Sequence, residues 1–249
     1  MKKRFFAPFL LPVLIFVLAY MGWLPQPLVS FTGITFVAGT SIVNASTSGN
    51  INTTGANFIV ATLSNFAGNS SQAFSDSKGN TWSSVANCNG GNAYAGIRYS
   101  LNPSVGSSHN FTTNNGGGYA GVAYIRSYSG VATASALDGS SCTCTGSSSG
   151  ASGSITPANS NALLISGSSA NANYSSGPDS GFTNRGANNA NLLADMGGGI
   201  GDLIETTATA KNPSWTWSAG TVCTNVAAFD PVVAVLSAPG HNHSVWFGF

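Results

Sequence analysis

The chain has 249 residues, 43% of them hydrophobic and only 6% charged, with a formal net charge of +1. A sizeable core is possible, but Gly, Ser, Asn, Thr and Ala stand where soluble domains usually carry about a quarter of charged residues. Plentiful aromatic and β-branched residues exclude a disordered chain, and the missing charge excludes long-range steering of nucleic acid or acidic substrates.

Residues 1–30 read as a targeting segment. Lys2, Lys3 and Arg4 precede the apolar run Phe5–Leu24, about 20 residues, which is long for a signal core and just enough to span a bilayer. Pro8 and Pro12 disfavour a straight helix, and Pro25 and Pro27 close the run. Export follows. A cleaved signal and a retained anchor both remain open, and a membrane enters only through residues 5–24 if the segment is kept.

Residues 31–45, FTGITFVAGTSIVNA, read as the first mature strand, with Ile34, Phe36 and Ala38 on one face. Further strands are expected at Ala56–Ser64, Gln72–Phe74, Thr81–Ala86, Ala93–Leu101, His109–Thr113 and Tyr119–Ser129. The last is the clearest. Ala123 and Ile125 point one way, and Val122, Tyr124, Arg126 and Tyr128 the other. Beyond it come Ser154–Thr156, Ala162–Ser168, Phe182–Arg185, Gly201–Ala210, Ser214–Ser218 and Thr221–Asp230. Asp76–Asn80, Asn89–Gly91, Asn114–Gly118 and Ser175–Gly181 punctuate the series as turns. Ser140–Gly153 reads as a long loop within one domain, and 191–196 as at most a helical turn. Many short strands without a helical period predict an all-β fold, a β-sandwich of jelly-roll type with two antiparallel sheets, over 31–231. Residues 232–249 add an extra strand and an aromatic tail.

NFIVATLSNF, FSDSKGNTWSSV, AGIRYSLNPSVGSSHNFTT, GVAYIRSYSGV, NALLISG and TVCTNVAAFDP follow one another in this order. The series resembles a widespread group of exported bacterial β-sandwich modules, over roughly residues 50–231. The resemblance rests on turn and core residues. It implies a jelly-roll-like sandwich on a secreted or surface protein and transfers no catalytic residue.

The four cysteines, Cys88, Cys142, Cys144 and Cys223, are an even set in an exported chain, which favours disulfides. Cys142 and Cys144 are too close to pair with each other, so each is expected to pair with Cys88 or Cys223. A C-x-C plus two distant cysteines fits poorly to a metal site.

Gly116–Gly121 matches G-x-G-x-x-G, but a strand and not a helix follows, and Gly146–Gly150 matches G-x-S-x-G inside a low-complexity run. His241 and His243 offer a metal pair with His109 as a distant third ligand, but on a tail expected to be exposed and without carboxylates nearby the solvated reading is favoured. Glu205 is the only glutamate, and no acid–base pair or nucleophile set assembles among the acidic residues. No enzyme activity, cofactor or metal is therefore expected. Asn44, Asn52, Asn69, Asn110, Asn173 and Asn242 fall in N-x-[ST] sequons, as composition alone would produce.

Trp82, Trp215, Trp217 and Tyr128 present two readings. Stacked aromatics beside amides and hydroxyls suit a neutral sugar, whereas tryptophans are mostly core residues. Two functions follow as expectations. One is an extracellular or cell-surface protein acting in adhesion or glycan recognition. The other is a filament or surface-layer subunit that binds copies of itself by strand addition, through Ile34, Phe36 and Val37 or through Trp246, Phe247 and Phe249.

Overall fold

The structure is a computed structural model that describes residues 29–31, 33–43, 45–66, 73–113, 121–190, 196–218 and 220–235. Among them the strands are β1 (Val29–Phe31), β2 (Thr35–Val43), β3 (Phe58–Asn65), β4 (Phe74–Asp76), β5 (Ser83–Asn89), β6 (Tyr94–Leu101), β7 (Phe111–Thr113) and β8 (Val122–Ser129). There follow β9 (Leu137–Thr145), β10 (Ser149–Ala151), β11 (Ala162–Asn171), β12 (Tyr174–Ser176), β13 (Thr183–Ala190), β14 (Met196–Glu205), β15 (Ser214–Trp217), β16 (Val222–Phe229) and β17 (Val233–Val235). Residues 31–232 form the main compact unit; in the other, smaller unit β1 pairs with β17.

The main unit contains the same topology twice. Its first half makes a large sheet in the order β2-β8-β3-β6-β5 and a small one, β4-β7, which isolated bridges at Thr47↔Thr112 and Ile51↔His109 extend. Its second half makes a large sheet β9-β16-β11-β14-β13 and a small sheet β10-β15-β12. Counting eight segments in each half, both large sheets run 1-8-3-6-5 and both small ones 2-7-4. This is jelly-roll order with the fifth strand joined to the large sheet. The expected antiparallel sandwich is present, and its jelly roll occurs in duplicate.

Pairing registers match the halves residue by residue. Phe58 on β3 faces Leu101 and Tyr128, and Leu163 on β11 correspondingly faces Ile204 and Phe229. Each first strand carries one extra residue at the same point, Val37 in β2 and Asp138 in β9. The equivalent residues Ser64 and Ser169 touch across the two large sheets, their hydroxyl oxygens 2.7 Å apart, so a local two-fold axis passes between them.

The large sheets pack face to face through β3, β6, β11, β14 and β16. Phe58, Tyr128, Leu163, Ile165, Ile200 and Phe229 form the shared core, with the Phe58 and Phe229 rings 4.6 Å apart. Each half also has an inner core between its large and small sheet. Ile59, Leu63, Phe111 and Ile125 build the first, and Trp215, Trp217, Val222 and Ala170 are part of the second. Strands β3 and β16 are consequently buried on both faces at every residue. That is why FIVATLSN and VCTNVAAF show little polar alternation. Their Thr62, Ser64 and Asn225 are satisfied by Gly199 O, Gly197 O and the Gly167 N–H.

Several expectations need correction. The strand expected at Ser154–Thr156 is a single bridge between Ile155 and Lys211, and the turn expected at Ser175–Gly181 begins inside β12. Ser140–Gly153 is not a loop, because residues 137–145 and 149–151 form β9 and β10. β9 is a half-exposed edge strand in which serine, threonine and cysteine replace large apolar residues, so the hydrophobic signal is weak. The strand expected at Gly201–Ala210 is instead β14, Met196–Glu205. Its glycines are not turn residues. A Cβ on Gly197 would enter the Trp217 ring, one on Gly199 the Trp215 ring, and one on Gly201 the Pro178 ring. The alternate glycines are a flat bed for the W-T-W of β15.

Candidate functional site

The duplication produces two equivalent lateral edges, one where β5 meets β9 and one where β2 and β13 flank the sandwich. They are finished differently. On the first, Cys88 of β5 is bonded to Cys142 of β9, and Cys144 to Cys223 on β16. Cys142 and Cys144 thus pair as expected with the two distant cysteines, the bonding state of an oxidising compartment. The sulfurs of Cys88, Cys144 and Cys223 lie within 4.8 Å of one another, but they are disulfide sulfurs, without the thiolates a metal would need.

Register places Ser41 and Asn188 on the second edge where Cys142 and Cys88 stand on the first. No sulfur bridges that edge. It holds a cleft of about 530 Å³ lined by Phe36, Gly39, Thr40 and Ser41 of β2, Tyr124 and Arg126 of β8, and Arg185 and Gly186 of β13.

Arg126 projects from the middle of β8 toward the edge because Gly39, beside it on β2, has no side chain; a Cβ there would stand 2.7 Å from Arg126 Cδ. Its Nη1 donates to Thr40 O at 3.1 Å and Ile125 O at 2.7 Å, and its Nη2 donates to Arg185 O. The guanidinium stands 6.0 Å from the centre of the Tyr124 ring. Burial lowers the pKa of Arg126, opposed by the Asp202 carboxylate. Arg185 donates from Nε to Asp202 Oδ1 at 2.8 Å, and Tyr128 donates to Asp202 Oδ2 at 2.6 Å. Burial first, then Asp202, raises the Tyr128 pKa, so the phenol keeps its proton and remains the donor. Phe36 is 45% exposed at the rim, its ring edge-on to Tyr128 at 5.8 Å.

The aromatic residues singled out in the sequence do not come together. Trp215 and Trp217 are fully buried, and their indole N–H groups donate to Ser166 and Ser168, each at 2.9 Å. Tyr128 is buried beneath the cleft, while half-buried Trp82 lies in the first half's inner core and donates to Asp76. The sugar-platform reading fails for Trp215, Trp217 and Tyr128, because no ring face is open; Trp82 stands alone. Ile34 is buried, and Val37 is half-buried at the bulge of β2. Trp246, Phe247 and Phe249 lie outside the described residues.

Sequence reasoning missed Arg126 and Arg185 as site residues. The available signal was a guanidinium in the middle of the apolar run VAYIRSYS, in a chain that carries very few charges.

Thr53, His109 and Asp76 form a buried polar series, with Thr53 Oγ1 hydrogen-bonded to His109 Nδ1 at 2.9 Å and His109 Nε2 at ion-pair distance, 3.2 Å, from Asp76 Oδ1. Thr53 and His109 have no exposed surface, nor has the Asp76 side chain. Asp76 also accepts from Lys78 N and the Trp82 indole. The series ties the Asp76–Asn80 turn to the small sheet and offers no accessible nucleophile.

No family model, curated protein or solved structure matches the chain.

Proposed function

We propose that this chain is an exported, non-catalytic recognition module of the cell surface, which binds a glycan in the cleft between β2 and β13. The cleft itself carries the reading. It combines an exposed aromatic ring, Phe36, with the polar residue Ser41 and two arginines, Arg126 and Arg185. A sugar needs an apolar face and several polar partners. The six described acidic side chains all accept hydrogen bonds within the fold, as Asp138 does from Ala158, Asp179 from Ser214 and Asp230 from Asn159. The disulfides suit an extracellular location. The resemblance to exported bacterial modules points the same way. On a glycan array the disulfide-intact protein binds at least one glycan, Phe36→Ala weakens it tenfold or more, and Trp215→Leu leaves it unchanged. Binding to no glycan, or binding indifferent to Phe36, overturns the reading.

One observation favours self-assembly as a second reading. β2 is an edge strand without a charged residue, and charge is what usually keeps edges apart. Strand addition there would give filaments or oligomers under the electron microscope, abolished by Val37→Lys. Monomers of the native chain would remove it.

A further inference from the structure

The chemistry of the cleft allows its ligand to be narrowed, on the premise that the cleft is the glycan site. We propose that it selects an acidic sugar, a carboxylated hexose whose carboxylate is held between Arg126 and Arg185 while its ring lies against Phe36.

The argument starts from unused donors. A guanidinium has five N–H groups. Among the described residues Arg126 spends three of them, two from Nη1 and one from Nη2, on the carbonyls of Thr40, Ile125 and Arg185. No described carboxylate lies within ion-pair distance of it. Its positive charge is half-buried, bonded to carbonyl oxygens and compensated from beyond ion-pair distance by Asp202, which Arg185 already holds. Arg185 spends its Nε–H on Asp202, and its side chain is 41% exposed.

The charge count points the same way. Arg126, Arg185 and Asp202 leave one uncompensated positive charge at the site. An anion reaching Arg126 therefore neutralises a charge the fold leaves without a carboxylate, through the paired hydrogen bonds that guanidinium and carboxylate geometry favour. The whole chain, at net charge +1, exerts no long-range pull on polyanions. Selection works only at contact, where two arginines on a partly desolvated wall are strong.

Size separates a sugar acid from a simple anion. A cleft of about 530 Å³ exceeds what acetate or sulfate fills. It falls in the range that holds drug-sized ligands. Gly39 and Gly186 let Arg126 and Tyr124 lie flat against β2 and β13 as the walls of the cleft, since a Cβ at Gly186 would enter the Tyr124 ring at 2.6 Å.

The test uses the full disulfide-intact chain and titrates an oligogalacturonate, the same oligomer after chemical reduction of its carboxylates, and sodium acetate. The acidic oligomer is expected to bind at least tenfold more tightly than its reduced form, and acetate only weakly. Arg126→Gln should remove that preference. Arg185→Gln, at an exposed side chain, should reduce it by itself, so the test survives if Arg126→Gln does not fold. Equal binding of the two oligomers overturns this inference and leaves glycan recognition standing. Binding of acetate as tight as the oligomer also overturns it. Binding of neither oligomer, when no other glycan binds, removes both.

Discussion

Gly199→Ala tests the central packing claim for the second half, that the glycines of β14 exist to seat the tryptophans of β15. The added Cβ would fall inside contact distance of three Trp215 ring atoms, 2.6 Å from Cη2 and 3.1 Å from Cε3 among them. The indole cannot retreat. Its nitrogen is bonded to Ser166 at 2.9 Å, and Gly177 lies against it so closely that a Cβ there would sit 3.0 Å from Cε3. Overpacking of this kind costs about 1–3 kcal/mol. Displacing the buried Trp215–Ser166 hydrogen bond adds about 1 kcal/mol. The expected loss is thus about 2–4 kcal/mol. With Trp215→Leu in place the same alanine meets empty space and removes only glycine's backbone freedom, so it should be neutral or stabilising by about 0.5 kcal/mol. Denaturant unfolding of the four proteins of this cycle, followed by far-UV circular dichroism, gives a coupling of about 2 kcal/mol or more. Equal losses in both backgrounds would show that Gly199 is required for the backbone and not for the indole, and would refute the reasoning.

Three further outcomes follow. Burial lowers the His109 pKa from its ordinary 6.5, opposed by Asp76 and aided by Lys78. The unfolded chain then binds the proton more readily, so stability is complete above about pH 6.5 and falls as pH drops below it; melting temperature against pH should show this limb, and His109→Asn should flatten it. Glu205 is depressed from 4.5 to about 2 by its bond to Lys211 and then by Thr207, with Thr209 adding to them. Its contribution is therefore present above about pH 4.5 and lost toward pH 2, and Glu205→Gln should remove that acid limb from the same measurement. Replacing Cys88 and Cys142 together by serine opens a 54-residue loop and should lower unfolding free energy by up to about 4 kcal/mol, while a chelator leaves the native protein unchanged.

The fold was legible wherever local chemistry alone decides it. The alternation in β8 separates Ala123 and Ile125 from Val122, Tyr124 and Tyr128, and the structure buries the first pair in the first half's inner core and the other three in the shared one. The turn expected at Asp76–Asn80 forms with Asp76 accepting from the Lys78 and Asn80 N–H groups, as turn aspartates do. What failed depends on partners distant in sequence. A run such as MGGGIG reads as a breaker until the rings of Trp217 and Trp215 lie on it. The duplication is invisible because equivalent positions hold different chemistry: Val122 matches Cys223, Tyr124 matches Asn225, and Arg126 matches Ala227. Register is preserved between the halves, and side chains are not.

Those same differences explain why the candidate site lies on one edge and not the other. A duplicated sandwich begins with two equivalent rims, and at both an edge strand has one side without a partner. At one rim the disulfide between Cys88 and Cys142 fixes β5 against β9. There Ala227, in the place of Arg126, is buried in the shared core. At the other rim the guanidinium of Arg126 reaches from β8 to carbonyls on β2 and β13, joining the two sheets by hydrogen bonds. A covalent clasp fills its rim with sulfur and demands no ligand. A cationic clasp joins the sheets while leaving charge unneutralised and space around it. Under the proposal that the cleft takes a carboxylate, the rim held by Arg126 is therefore the one where the same side chain both joins the sheets and meets the ligand.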